Sequence, residues 1–232
     1  MPVDPTERSD FQMKKKTLAL IHTSATLVSV FQQLLKARLP GVETFNIVDD
    51  SLVRQIGAKG GITEDISARV AAYIGSAASG GADYILVTCS SIGPAVEAAA
   101  SSVRVPVLRV DQPMADRAVQ AGHRIGVIAT LPTTLNPTAD LVRRRAAAAG
   151  KSVELTARLC EGAFDALMSG DAERHDALVA GALRELSRQV DVILLAQASM
   201  ARVVETLSES DRRVPILASP PLAIDHLATV LA

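Results

Sequence analysis

Residues 83–91 read Asp-Tyr-Ile-Leu-Val-Thr-Cys-Ser-Ser, and residues 191–199 read Asp-Val-Ile-Leu-Leu-Ala-Gln-Ala-Ser. Both stretches have an acidic start, an apolar run and an end of small residues, and they lie 108 residues apart. A short apolar run bounded by polar residues is typical of a buried strand that ends at a turn. The match predicts that the chain contains two copies of one folding unit.

Two further pairs of segments support the duplication. Val-Pro-Val-Leu at residues 105–108 matches Val-Pro-Ile-Leu at residues 214–217, with an offset of 109. Residues 18–23 match residues 125–130, with an offset of 107. Three landmarks at a nearly constant offset predict two homologous halves, each with about four strands.

Short apolar runs alternate with longer helical stretches in each half. Strands joined by helices require crossover connections, so we predict an α/β fold in which each half is a mainly parallel four-stranded sheet flanked by helices. We place the first half at residues 17–111 and the second at residues 124–232, joined near residues 112–123. The sequence leaves open whether the C-terminal segment returns to the first half. Residues 1–16 are predicted to be a mobile N-terminal arm.

The sequence also predicts where several helices lie. Helical spacing of apolar residues occurs at residues 26–39, 63–79, 95–102, 136–149 and 172–189. The fourth of these helices is predicted to start at Asn136-Pro137, because proline is favoured in the first turn of a helix.

Composition excludes several classes of function. The chain has 232 residues, with 24 Lys+Arg against 25 Asp+Glu, so its charge gives no reason to expect nucleic acid or an anionic membrane surface as a partner. No window approaches the roughly 18 apolar residues of a membrane span. The two cysteines, Cys89 and Cys160, cannot build a disulfide framework or a thiolate metal cage, and so low a count indicates the reducing cytoplasm.

The ends of the predicted strands carry the candidate site. Ligands of parallel α/β sheets bind at the carboxyl ends of the strands, so we predict a cleft there, between the two halves. Its lining is rich in hydroxyl groups and poor in charge, and it comprises Ser24, Cys89, Ser90, Ser91, Thr130, Thr133, Thr134, Gln197, Ala198 and Ser199. The sequence contains no Walker loop, GxGxxG motif or metal-ligand spacing, so we expect neither a cofactor nor a metal.

The duplicated halves, the Cys-Ser-Ser-Ile-Gly turn at residues 89–93 and the equivalent turn at Gln197 together resemble the Asp/Glu/hydantoin racemase superfamily. This group includes cofactor-independent amino-acid racemases, maleate isomerase and arylmalonate decarboxylase, and the resemblance extends from about residue 16 to residue 232. In that family two cysteines, one in each half, face each other across a substrate carbon. Cys89 matches the first cysteine, but Gln197 stands in place of the second, and an amide cannot act as a general acid or base.

The resemblance implies a cofactor-independent isomerase of amino-acid metabolism that acts on a small carboxylate through an enediolate, with Cys89 as its single cleft thiol. His22, at the end of the first strand, is the candidate for a second acid or base. The other polar side chains of the cleft would bind the substrate, since hydroxyls and helix N-termini stabilise a growing negative charge.

Two alternatives stay open at this point. One is a one-thiol decarboxylase of the arylmalonate type, and the other is a noncatalytic protein that binds a small carboxylate. Cys160 is interpreted as a buried or peripheral thiol. Alanine-rich helices that allow close packing favour a homodimer or a higher homo-oligomer.

Overall fold

The computed structural model describes residues 15–231 and contains two four-stranded parallel sheets. The predicted N-terminal arm therefore lies, up to residue 14, outside the described residues. The strands of the first sheet are β1 Thr17–His22, β2 Glu43–Val48, β3 Tyr84–Val87 and β4 Val107–Arg109. Those of the second are β5 Arg124–Ala129, β6 Glu154–Leu159, β7 Val192–Leu195 and β8 Ile216–Ala218.

The two sheets have the same topology. Their strand orders are β2-β1-β3-β4 and β6-β5-β7-β8, and all of these neighbours pair in parallel. Ile21 of β1 lies beside Val87 of β3, and Ile128 of β5 lies beside Leu195 of β7. The predicted α/β fold with two parallel sheets is therefore confirmed.

Helices flank both sheets. In chain order they are α1 Thr26–Arg38, α2 Ser51–Lys59, α3 Glu64–Ser79, α4 Gly93–Ala100, α5 Gln112–Ala121, α6 Pro132–Ala148, α7 Ala163–Met168, α8 Ala172–Leu186, α9 Ala201–Thr206 and α10 Ser219–Leu231. Short 3-10 turns occupy residues 90–92, 198–200 and 209–211. Across residues 15–231, no helix combines the length and the apolarity needed to cross a membrane.

The central strands β1, β3, β5 and β7 are buried on both faces, as their continuous apolar runs predict. In β1, Ala19 and Ile21 pack with residues of α2, α3 and α4, whereas Leu18 and Leu20 pack with residues of α1 and α10. A sheet covered in this way exposes its polar groups mainly at the strand ends, which is where a ligand can reach them.

The last helix of each half packs on the sheet of the other half. The α5 helix follows β4, but Met114 and Ala118 lie in the core of the second sheet. The α10 helix follows β8, but Ile224 and Leu227 lie in the core of the first sheet. The segment that the sequence treats only as a join is thus a helix, and the exchange of α5 and α10 ties the two halves together.

The predicted start of α6 at Asn136-Pro137 is wrong. The helix begins at Pro132, and Pro137 lies inside it. A proline at the first helical position loses no hydrogen bond, so Pro132 and Pro137 are both compatible with a helix start by local rules. The backbone N–H of Leu135 already donates to the Leu131 carbonyl, which shows that the helix is established before Pro137.

Candidate functional site

Cys89 and Gln197 occupy equivalent positions in the two halves. Each lies just beyond a central strand and directly precedes a 3-10 turn that leads into a helix. Their backbone angles are nearly the same, with φ −129° and ψ 120° at Cys89 and φ −132° and ψ 137° at Gln197. The sequence repeat thus identifies two turns of the same conformation, one with a half-buried thiol and one with a half-buried amide.

The Cys89 turn contacts the second half directly. The hydroxyl of Ser91 lies 2.9 Å from the hydroxyl of Thr134, near the start of α6, and both side chains are buried. Two hydroxyls that share one hydrogen bond use only one of their two hydrogens. The other hydrogen is therefore free to be donated to an anion at this junction between the halves.

Gln197 is oriented by the end of β5. Its side-chain oxygen accepts hydrogen bonds from the backbone N–H of Thr130 at 2.5 Å and from the Thr130 hydroxyl at 3.0 Å. Because a backbone N–H can only donate, the amide oxygen must face Thr130. The Gln197 amide nitrogen is then the free end of the side chain, and it can donate two hydrogens.

His22 belongs to a hydrogen-bond network inside the first half. The side chain is fully buried, with Nδ1 2.8 Å from the Thr88 hydroxyl and Nε2 2.9 Å from Oδ1 of Asn46. Burial lowers the pKa of His22 below its ordinary value of 6.5, and the hydrogen bond to Asn46 offsets part of this shift. Both ring nitrogens are engaged, one with the Thr88 hydroxyl, which also contacts the Ile21 carbonyl at 3.1 Å, and one with Asn46. The ring therefore links the ends of β1, β2 and β3.

The other predicted residues lie in the segments that follow the strands of the two sheets. The Ser24 hydroxyl bonds to that of Thr26 at 2.8 Å, in the loop that starts α1. Ser90 is buried beside Cys89, whereas Thr133, Ala198 and Ser199 are half-buried. The binding and catalytic roles assigned to these residues stay predictions.

Cys160 differs from Cys89 in its surroundings. It lies after β6 and is only 5% exposed, and its side chain packs in the core beside α7 and α8. Burial raises the pKa of the Cys160 thiol to about 11, although the charge of Arg158 opposes the shift. Cys160 is thus a buried thiol that stays protonated at neutral pH.

A buried ion cluster beside the Cys89 turn was not predicted from the sequence. Arg109, at the end of β4, donates from Nε and one terminal nitrogen to the Asp111 carboxylate at 3.0 and 2.8 Å, and from the other terminal nitrogen to Glu97 at 2.9 Å. Its guanidinium packs against Gly93, where a Cβ atom would overlap it. The available signal was an arginine inside the apolar run Val-Pro-Val-Leu-Arg-Val at residues 105–110.

The Cys89 turn, its contact with α6 and the Gln197 side chain provide neutral hydrogen-bond donors for an anion. The free hydroxyl hydrogen at the Ser91–Thr134 pair and the Gln197 amide hydrogens are neutral donors of the kind that stabilise an oxyanion. Within residues 15–231, no three His, Cys, Asp or Glu side chains converge in the way metal ligands do.

The chain is similar to known proteins both in its sequence family and in its fold. The family model for Asp/Glu/Hydantoin racemase matches residues 13–227. A search of curated protein sequences gave no significant match. Among solved structures, a glutamate racemase isoform from Bacillus anthracis superimposes with a TM-score of 0.70 at 16% identity, covering 93% of this chain and 81% of that one.

Two other solved structures show the same fold. The aspartate racemase of Picrophilus torridus gives a TM-score of 0.67 at 14% identity, with 92% of this chain and 94% of that one covered. The allantoin racemase of Klebsiella pneumoniae gives 0.68 at 17% identity, with 94% and 88% covered. At these identities the likeness concerns the fold.

Proposed function

The chain belongs to the Asp/Glu/hydantoin racemase family, and on this premise we propose that it is a cofactor-independent isomerase that moves the proton on the carbon next to a small carboxylate. The observation that carries the proposal is the pair of equivalent turns. They present Cys89 from one half and Gln197 from the other, and the Ser91–Thr134 hydrogen bond joins the halves beside them.

The proposed chemistry uses Cys89 as the base. Its thiolate takes the proton from the α-carbon, and the electron pair of the C–H bond moves into the carboxylate to form an enediolate. A proton returned by the same thiol reaches the same face of the carbon, so this step exchanges the hydrogen with solvent and keeps the configuration. Inversion requires a proton on the opposite face from a second acid, for which His22 is the candidate predicted from the sequence. The negative charge that grows on the carboxylate oxygens is met by the free hydroxyl hydrogen of the Ser91–Thr134 pair and by the start of the 3-10 turn after Cys89.

In this proposal Gln197 limits the chemistry on the face of the substrate opposite Cys89. Its amide can hold a polar group of the substrate, because Thr130 fixes the side chain with the nitrogen free. It cannot deliver a proton. This favours as second candidate a one-thiol decarboxylase, in which CO2 leaves and Cys89 protonates the remaining enediolate from one face.

The test is hydrogen exchange with the solvent. The protein is incubated in D2O with a panel of amino acids, hydantoins, malonates and maleate, and deuterium at the α-carbon, inversion of configuration and release of CO2 are each measured. We expect exchange with at least one compound, and we expect Cys89→Ser to reduce its rate by about 100-fold or more, the usual contribution of an acid or base. The matched control is Cys160→Ser, which changes the other thiol and should keep the activity.

The outcomes separate the candidates. Deuterium in the remaining substrate together with inversion supports an isomerase or racemase. CO2 release with deuterium in the product but none in the remaining substrate supports the decarboxylase. Binding of a panel carboxylate without exchange, inversion or CO2 release would show a noncatalytic binding protein. A Cys89→Ser variant as active as the wild type would contradict the role of the thiol. A cytoplasmic location and a homodimer remain part of the proposal.

A further inference from the structure

Helix α4 of the first half and helix α6 of the second half are linked at two places. Beside their N-termini, Ser91 bonds to Thr134. Farther along, Arg144 of α6 forms an ion pair with Glu97 of α4 at 3.0 Å. The two links hold one half of the molecule against the other along α4, whose first residue lies only four positions after Cys89.

Glu97 also ties α4 to the first sheet. Its carboxylate accepts a hydrogen bond from Arg109, whose side chain is only 2% exposed. A buried guanidinium is tolerated when its donors are paired, and here Asp111 takes two of the hydrogen bonds and Glu97 takes the third. Glu97 is therefore shared by one arginine from its own half and one from the other half.

The position of Arg109 fixes the start of α4. The guanidinium fills the space over Gly93, so the backbone that leaves the Cys89 turn rests directly on it. A displacement of this contact moves the first residues of α4, and with them the turn. Proton transfer depends steeply on such placement, since an error of about 1 Å can reduce a rate by roughly 100-fold.

We propose that Arg109, Glu97 and Arg144 are positioning residues that hold the Cys89 turn in a fixed position relative to the second half. They act through Gly93 and α4, and Arg144 supplies the link across the halves. The inference rests on the proposed function for the role of Cys89, but the placement of the thiol can be measured without any substrate.

The measurement is the rate at which iodoacetamide alkylates each cysteine of the full chain, resolved by peptide mass spectrometry. The variants are Glu97→Gln and Arg144→Gln, which break the shared ion pair. The matched control is Arg143→Gln. Arg143 lies on the same helix, is about as exposed as Arg144 and pairs with Asp140 of its own helix. Cys160, buried and protonated, is the internal reference for general unfolding.

We expect both test variants to raise the Cys89 rate by about twofold to fivefold, because a partly exposed ion pair contributes modestly to holding a local structure closed. Cys160 should keep its rate, and Arg143→Gln should behave as the wild type. The double variant should match Glu97→Gln alone, since Arg144 has no further effect once its partner is gone.

Two results would overturn the inference. One is a Cys89 rate that is unchanged by Glu97→Gln and Arg144→Gln or changed equally by Arg143→Gln. The other is a parallel rise at Cys89 and Cys160, which would show a general loss of stability. Either result is separate from the proposed function, which fails if no panel compound is turned over or if Cys89→Ser keeps the exchange activity.

Discussion

At the scale of single residues, the contrast between Cys89 and Gln197 decides the chemistry that the fold can perform. The two residues share a backbone conformation and a place in the repeat, but a thiol can carry a proton and an amide cannot. The Thr130 hydrogen bonds make Gln197 a fixed donor. Under the proposed function, the first half thus supplies the thiol that reacts, and the second half supplies the amide that binds.

His22 gives the molecule a residue whose titration should affect stability. Its pKa is lowered in the folded state, so between the ordinary value of 6.5 and the lowered value the unfolded chain binds more protons. The free energy of unfolding therefore falls as pH falls through this window, by at most about 1.4 kcal/mol per pH unit for one group. Above pH 6.5 this contribution is constant.

The measurement compares urea unfolding of the wild type and His22→Gln at pH 7.5, 6.5 and 5.5. We expect the stability of the variant to fall less steeply below pH 6.5, because glutamine can replace a hydrogen bond but does not titrate. The exposed His123→Gln variant is the control and should keep the wild-type slope. Equal slopes for the wild type and His22→Gln would show that His22 does not become protonated on unfolding.

At the scale of elements, glycines in two helices should respond in opposite ways to alanine. Gly93→Ala in α4 places a Cβ against the Arg109 guanidinium, which its carboxylate partners hold in place, so we expect a loss of about 1 to 3 kcal/mol in the free energy of unfolding. Gly57→Ala in α2 meets no atom within 4 Å, so we expect a gain of about 0.5 to 1 kcal/mol. Urea unfolding measures both changes. A Gly93→Ala variant with an unchanged free energy of unfolding would contradict the close contact between residue 93 and Arg109.

The sequence predicts elements well where the local pattern is sufficient. Apolar runs between polar ends locate the strands, and the repeat pairs Cys89 with Gln197 before any coordinates are known. Local rules fail at α6, because Pro132 and Pro137 are equally acceptable helix starts and only the observed backbone hydrogen bonds decide between them. Arg109 was missed because its burial depends on a tertiary contact with Glu97 of α4, in addition to the Asp111 carboxylate two positions along the chain.

At the scale of the whole molecule, the exchanged helices should make the two halves unfold together. The sequence cannot show this exchange, since the apolar faces of α5 and α10 fit either sheet by their spacing alone. In the structure, Ile224 of α10 is fully buried against the first sheet, although α10 continues the chain of the second half. A change in this helix should therefore destabilise a sheet to which it is not adjacent in sequence.

Ile224→Ala tests this coupling with one probe in each half. Both tyrosines, Tyr73 and Tyr84, lie in the first half, so their fluorescence reports on it, and alkylation of the buried Cys160 reports on the second half. We expect coincident urea transitions in the wild type and a shared loss of about 2 to 5 kcal/mol in the variant, the usual cost of truncating a buried isoleucine. The exposed Val230→Ala on the same helix should change little. If the tyrosine transition stayed at the same urea concentration while the Cys160 transition moved, α10 would stabilise only the second half.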